Sequence, residues 1–361
     1  MTEPTETLTP RPIRQEAERA GTEAIEVATN VLRMQLPIDF PGLGHVNCYA
    51  MEDERGFALV DPGMPGQKSW EAIQVRLKNA GIPLNRIHTI IVTHSHPDHY
   101  GGAERLRAET NADILTHESF KLFFEDNDDF EGEDSSALVL NDAEAMEKVR
   151  ERFAHDTAWG TKRTPPNEEF LKQVIADRTS GGAFTTVTPT IRVSDGQPVM
   201  FAGREWQSIH TPGHTHDHLC LFDPTEGVML SGDHVLPTIT PHIGAWQPQI
   251  DPLAQFFSSL KRMTTFEGVT TVLPAHGHPF SDLAGRANHI IDHHIERLDT
   301  IRESVDMLGN ANVNDHMKLL FKERSWGDMA ESETFAHLVH LEELGEVVTL
   351  DQPGPTTFAR A

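Results

Sequence analysis

The sequence predicts a mixed α/β fold, an αββα sandwich followed by a small winged-helix-like unit. Three observations carry this prediction. Strand-length apolar segments alternate with helix-periodic ones up to Pro279, with more β segments than a single βαβ layer needs. After Pro279 the periodicity becomes helical almost to the end, closing on a pair of short strands. Histidine-bearing turns also follow one apolar segment after another, as expected where strand ends build a site along one edge.

The first 24 residues are polar, with no apolar core segment, and read as a flexible tail without a secretory signal. From 24 to 51, alternation of Ile25, Val27, Val31, Val46 and Tyr49 with Pro and Gly breaks predicts short strands. The segment 57–60 is a strand stopped by Asp61-Pro62-Gly63. Trp70, Ile73 and Leu77 share a helical face over 70–80, and Gly81 stands at the C-cap. A strand over 89–93, a helix over 102–109 and a strand over 113–115 complete a βαβ pattern.

Residues 118–185 interrupt this rhythm and read as an insertion. Helices are expected over 141–153 and 168–176, and the segment holds 16 acidic against 8 basic residues. It reads as a lid or dimerisation arm, with Phe153, Trp159 and Phe170 as pocket or interface anchors. Strands resume between 186 and 209 and at 220–222, 228–230 and 270–273. Helices over 285–305, 313–321 and 332–344 then precede strands at 346–350 and 356–359. The expected organisation is thus a tail (1–24), a body (25–284) with its insertion, and a winged-helix-like unit (285–361).

The chain of 361 residues carries a formal charge of −25, which repels nucleic acid and anionic membranes. No apolar run approaches the ~18 residues of a membrane helix. Two cysteines, Cys48 and Cys220, are too few for a disulfide scaffold, and a cytoplasmic location is the expectation. The 21 histidines, concentrated in a few short stretches, carry the chemistry.

Thr93-His94-Ser95-His96-Pro97-Asp98-His99 places three imidazoles and a carboxylate directly after a strand. His94 and His96, two apart in an extended turn, can aim at one metal. Asp98 and His99, at a helix N-terminus, can aim at a second. Four donors this close crowd a single ion, so two sites are expected. His214 in Thr211-Pro-Gly-His214, Asp233 in Ser231-Gly-Asp233-His234 and His276 in Pro274-Ala-His276-Gly-His278 each follow a strand and can converge with them.

This ordered set resembles the signature of the metallo-β-lactamase superfamily over residues 25–279, with Asp61 matching its early aspartate. The resemblance implies that His94, His96 and His214 hold one zinc, that Asp98, His99 and His276 hold a second, and that Asp233 bridges. Asp61 would orient a ligand; on local grounds alone it is equally a turn residue before Pro62-Gly63. The cofactor implied is two Zn2+, with iron or manganese as alternatives. The bridging Asp233 and the Asp98-His99 pair resemble the glyoxalase II, lactonase and RNase-like branches. The superfamily's β-lactamases usually lack that aspartate, and the flavodiiron branch carries Glu in place of His96.

The implied chemistry is hydrolysis by a metal-bridging water, with Asp98 shuttling a proton. No separate general acid is evident, which favours a small ester, lactone or thioester (an acyl-CoA type included) over an amide. His242, Trp246 and Trp159 are the expected substrate-pocket residues. His234, His278, His216 and His218 are read as supporting, packed or exposed, and His289, His293 and His294 as a polar helix face. The C-terminal unit resembles the tail of the group that includes a β-lactamase-like endoribonuclease, so single-stranded RNA is the alternative substrate and β-lactam cleavage a weak side activity. Residues 331–344 contain no Lys or Arg, however, and 286–361 hold 7 basic against 14 acidic residues. A small molecule is therefore the expected partner, with a homodimer as the assembly considered and neither nucleic acid nor membrane expected.

Overall fold

The computed structural model describes residues 14–122, 156–163, 168, 172, 187–245, 250–350 and 354–361. Strands β1 (Ile25–Ala28), β2 (Val31–Phe40), β3 (Leu43–Asp53), β4 (Gly56–Val60), β5 (Ile87–Ile91), β6 (Asp113–His117) and β7 (Ile191–Val193) form one sheet in sequential order. Pairing is antiparallel from β1 to β4 and parallel from β4 to β7. Parallel neighbours need crossovers. Helix α1 (Gln67–Asn79) supplies the first, and the short α2 (Pro97–Tyr100) with α3 (Ala103–Thr110) the second.

The second sheet contains β8 (Pro198–Phe201), β9 (Arg204–His210), β10 (Leu219–Asp223), β11 (Val228–Gly232) and β12 (Thr271–Pro274), in the order β12-β11-β10-β9-β8. Its one parallel pair, β11 with β12, is joined through α4 (Pro252–Met263). That helix is absent from the sequence expectations. Asp251 caps it by accepting the Ala254 N–H at 2.8 Å, Pro252 opens it, and Leu253, Phe256, Leu260 and Met263 form its buried stripe.

The period-2 alternation of the strands sorts residues into three apolar layers. Ala58, Val60, Ile91, Leu219, Leu221, Leu230 and Leu273 meet between the sheets. Phe57, Leu59 and Ile90 face α1 and α3 on one outer side. Cys220, Phe222, Met229 and Val272 face α4 on the other. This is the expected αββα sandwich. Cys48 belongs to one outer layer and Cys220 to the opposite one, and both are free thiols.

The C-terminal part holds α5 (Leu283–Leu308), β13 (Ala311–Asn312), α6 (Val313–Leu320), α7 (Asp328–Glu343), β14 (Val347–Leu350) and β15 (Thr357–Arg360). Its strands form an antiparallel sheet in the order β13-β15-β14. The boundary expected between 284 and 285 falls inside α5. Ile290, Leu298, Phe335 and Leu338 share one core with Met229, Val272 and Phe256, so the two parts are packed as a unit.

Two further expectations need correction. Strands β2 and β3 are 10 and 11 residues long rather than short, and run past Pro37 with a register shift before Phe40. Residues 14–24 are not a free tail. Buried Glu16 accepts the Thr238 N–H at 2.8 Å and the Ile239 N–H at 3.1 Å, while Gly21 bonds Gln35 and Arg76. Residues 1–13 and nearly all of both insertion helices, Phe153 and Phe170 included, lie outside the described residues. Among the described residues, no helix is long and apolar enough to cross a membrane.

Candidate metal centre

Five strand ends deliver the site to one edge of the sandwich. Asp61 follows β4, the His94–His99 segment follows β5, His214 follows β9, Asp233 follows β11 and His276 follows β12. His117, ending β6, stands beside this edge, its ring stacked on His210 at 3.9 Å.

The seven sequence-predicted donors converge in two groups. His96 Nδ1 lies 3.0 Å from His94 Nε2 and 3.1 Å from His214 Nε2. Asp98 Oδ2 lies 3.4 Å from both His99 Nε2 and His276 Nε2. Asp233 spans the two: its Oδ2 is 3.6 Å from His214 Nε2 and 3.7 Å from His99 Nε2, and its Oδ1 is 3.3 Å from His276 Nε2. Tetrahedral zinc with Zn–N bonds of about 2.0–2.1 Å separates its nitrogens by about 3.3 Å, which both groups approach.

The outward nitrogens determine which atoms face inward. His214 Nδ1 donates to the His242 carbonyl at 2.7 Å, and His276 Nδ1 donates to the His45 carbonyl at 2.7 Å. His99 Nδ1 donates to Asp61 Oδ2 at 2.8 Å. Thr93 Oγ1 gives its hydrogen to Asp61 and so accepts from His94 Nδ1 at 3.0 Å. In its neutral form each of these rings turns an unprotonated Nε2 inward. His96 has one hydrogen at most to share between two such nitrogens, leaving a lone pair unanswered. His99 Nε2, His276 Nε2 and Asp233 Oδ1 are buried without a hydrogen-bond partner. Buried polar atoms of this kind need an explanation, and bound metal provides one.

Electrostatics separates the groups. Burial, then the rings of His99 and His96, hold His94 well below the ordinary imidazole range, and burial with His214 brings His96 to about 3. Burial lowers His214 as well. These rings are neutral donors. Burial opposes protonation of His99 and His276 too, but Asp98, Asp61 and Asp233 outweigh it, raising His99 well above its usual value and His276 to about 10. A site where carboxylates must recruit protons is one where a metal displaces them.

Apart from Asp61 and His218, the sequence reading does not identify the residues that hold these donors. His45 donates through Nδ1 to the Glu18 carbonyl at 2.8 Å and accepts the Gly277 N–H at 3.2 Å, tying the N-terminal segment to the His276 loop. Asn47 donates to the carbonyls of Pro274 and Gly277, and Tyr49 to that of Pro274. His218 bonds Thr211 Oγ1 at 2.7 Å and accepts the Asp233 N–H at 3.0 Å. Gly232 sits at φ +50°, where an added Cβ would stand 2.6 Å from His218 Nε2. Asp61 itself adopts φ 53°, a left-handed conformation uncommon outside glycine but better tolerated by Asp than by most residues.

The pocket residues fare differently. The His242 side chain turns to α7, contacting Glu333 Oε2 at 3.3 Å and Ser332 Oγ at 3.0 Å. Trp159 is buried in the core against Phe335, its indole N–H donating to Glu331 Oε2 at 2.8 Å, so it is a packing anchor rather than a pocket wall. Trp246 lies outside the described residues. His234 is buried beside Phe256, and His278 bonds Glu18 and Arg33. His294 is buried against His337 rather than exposed on a polar face.

Comparison with known proteins identifies the family. Residues 41–276 match the family model of the metallo-beta-lactamase superfamily. The Bacillus subtilis protein named "Probable metallo-hydrolase YqjP" is 22% identical over 283 residues, covering 77% of this chain and 81% of its own length. An atrochrysone carboxyl ACP thioesterase of Aspergillus fumigatus is 30% identical over 116 residues, which are 32% of this chain and only 26% of that relative. A metallo-beta-lactamase family protein of Thermus thermophilus superposes with TM-score 0.71 at 26% identity, covering 93% of this chain and all (100%) of that one. A beta-lactamase domain protein of Burkholderia ambifaria gives TM-score 0.71 at 24% identity over 95% of this chain and 96% of its own. The chain belongs to the metallo-β-lactamase superfamily and is a metal-dependent hydrolase.

Proposed function

We propose that the protein is a di-zinc hydrolase of a small ester, lactone or thioester, an acyl-CoA-type conjugate included. The observation that carries the proposal is Asp233 spanning the two donor groups, with His99 Nε2, His276 Nε2 and its own Oδ1 buried without a hydrogen bond. His94, His96 and His214 would hold one ion, Asp98, His99 and His276 the other, and Asp233 both. When bound, the pair would supply Lewis acidity, lowering the pKa of water and polarising a substrate carbonyl.

The chain's own residues do the rest. Asp61 keeps His99 in one tautomer and orientation. Asp98 Oδ2 faces His99 and His276, so Oδ1 is the atom that would carry a proton from water to the leaving group. Among the described residues, the ion pairs of Asp98 and Asp233 are all with histidines, none with lysine or arginine. That supports substrates whose leaving group needs no dedicated acid and argues against a polyanion. The partial match to the fungal ACP thioesterase favours the thioester within this class.

The deciding experiment assays metal-quantified protein against thioesters, lactones, phosphodiesters, β-lactams and single-stranded RNA, with Asp98→Ala as control. Thioester or lactone turnover lost in the control is the expected result. RNA cleavage at physiological salt would instead favour the endoribonuclease reading, whose support is the helix and strand order of the C-terminal unit. A second copy of the chain is the proposed protein partner. A monomer across all concentrations in sedimentation would refute it.

A further inference from the structure

We infer that Glu333, on the first turns of α7, is a positioning residue for His214, acting through the 241–245 loop. The inference rests on the metal-site reading above and extends it to the C-terminal unit. Among the described residues, the outer hydrogen bond that orients His214 is its Nδ1–H on the His242 carbonyl at 2.7 Å. That carbonyl belongs to a segment without helix or strand hydrogen bonds, so the ring is only as well placed as the loop.

α7 holds the loop. Glu333 Oε2 meets His242 Nδ1 at 3.3 Å, Ser332 Oγ meets His242 Nε2 at 3.0 Å, and the Ala245 N–H reaches the Ser332 carbonyl at 3.5 Å. Glu333 is held in turn. Arg297 Nη1 lies 3.4 Å from its Oε1, and its own carbonyl accepts His337 Nδ1–H at 2.7 Å. Arg297 is fixed by His293 at 2.9 Å and by the Phe321 ring 4.4 Å from its guanidinium carbon. Burial opposes ionisation of Glu333, but His242 and Arg297 outweigh it and keep the carboxylate charged. A carboxylate ion-paired to the anchored Arg297 and hydrogen-bonded to His242 is a stiff support, and stiffness in the supporting layer keeps ligand nitrogens on target.

The same helix turn also binds the insertion, through Trp159 on Glu331, and Asn314 donates to Glu331 at 2.6 Å. The two Glu331 oxygens are thus directed to Trp159 and Asn314 rather than to the 241–245 loop, which makes Glu331 an internal control.

The test is zinc binding to the full chain, measured by chelator competition, alongside kcat and KM on the best substrate of the panel. Glu333→Ala is expected to weaken one of two zinc equivalents about tenfold, the lower end for supporting residues, and to lower kcat with little change in KM. In the Co2+-loaded protein, the visible bands of that equivalent should shift. Glu333→Gln, which keeps an acceptor, should restore most of the affinity. Glu331→Gln should bind both equivalents as the wild type does. If Glu333→Ala does not fold, His242→Ala tests the link from the loop side while keeping the carbonyl. Wild-type affinity for both equivalents in Glu333→Ala or, where that variant does not fold, in His242→Ala overturns this inference alone. A wild-type chain that takes up no zinc overturns the metal-site reading and this inference with it.

Discussion

Asp61 Oδ2 accepts the His99 Nδ1–H at 2.8 Å, while its Oδ1 accepts the Thr93 backbone N–H at 2.9 Å. One buried carboxylate therefore fixes both a metal-facing ring and the turn from which the His94–His99 segment departs. Removing such a partner from a ligand histidine costs about 10–100-fold in metal affinity or activity. Asp61→Ala is expected to fall in that range, with loss of zinc from the group containing His99. Asp61→Asn keeps the volume but can present N–H to Nδ1 and flip the tautomer, so it should be no better. Zinc per chain by atomic emission, with kcat measured on the same samples, checks this. Full zinc occupancy in both variants would show that Asp61 merely shapes the turn.

Removing the metal should cost stability as well as activity. Without cations, Asp61, Asp98 and Asp233 crowd one buried region where His99 and His276 carry compensating protons. A ligand that binds only the native state at 100 times its Kd adds about 2.7 kcal/mol, so chelator-treated protein should melt several degrees lower. Zinc should restore both the melting temperature and turnover. An unchanged melting curve after verified zinc removal would contradict this.

Gly232→Ala tests the support beneath Asp233. The added Cβ would meet the His218 ring at 2.6 Å and take up a backbone with φ +50°. Overpacking of this kind costs about 1–3 kcal/mol, and the left-handed conformation adds to it. Because His218 Nε2 also holds the Asp233 N–H, the shift passes directly to Asp233, the carboxylate proposed to bridge. Urea unfolding should show the stability loss, and activity should fall further than that loss explains. A variant destabilised but fully active at permissive temperature would exclude the coupling.

Much of the fold and most of the site are legible in the sequence because their signals are local. Four donors fall within six residues after a strand, and His214, Asp233 and His276 each follow another, so their convergence is local information, while their grouping comes from the family resemblance. What escapes depends on distant partners. Glu16 looks like part of a polar tail because the N–H groups it accepts from, those of Thr238 and Ile239, lie 222 and 223 residues away. His45 resembles any strand histidine until its carbonyl meets His276, 231 residues on. Trp159 reads as a pocket aromatic because nothing near it announces Glu331, 172 residues distant. Helix α4 is a different case. Its Asp251-Pro252 start and apolar stripe are local signals, overshadowed by the histidine-bearing loop before it.

Asp217 shows why a site can retain a residue that weakens the fold. It is buried, and burial raises its carboxyl from the ordinary 3.8 to about 6, with one oxygen left unpartnered. Since the folded pKa lies above the unfolded one, ionisation costs nothing below about pH 4 and its full penalty above pH 6. The difference amounts to at most about 3 kcal/mol, at about 1.36 kcal/mol per unit. Its other oxygen accepts the Ser95 hydroxyl at 3.1 Å, pinning the residue between His94 and His96. Asp217→Asn removes the ionisable group and keeps an acceptor for Ser95. It should therefore be more stable than the wild type at about pH 8 and lose that advantage at about pH 4, with activity largely retained. Asp217→Ala also escapes the penalty but releases Ser95, and should lose activity through the loosened His94–His96 turn. Denaturant unfolding of all three proteins across that pH range measures the first effect, and kcat at the alkaline end the second. An advantage of Asp217→Asn that did not change with pH would show that the carboxylate is not the source of the cost.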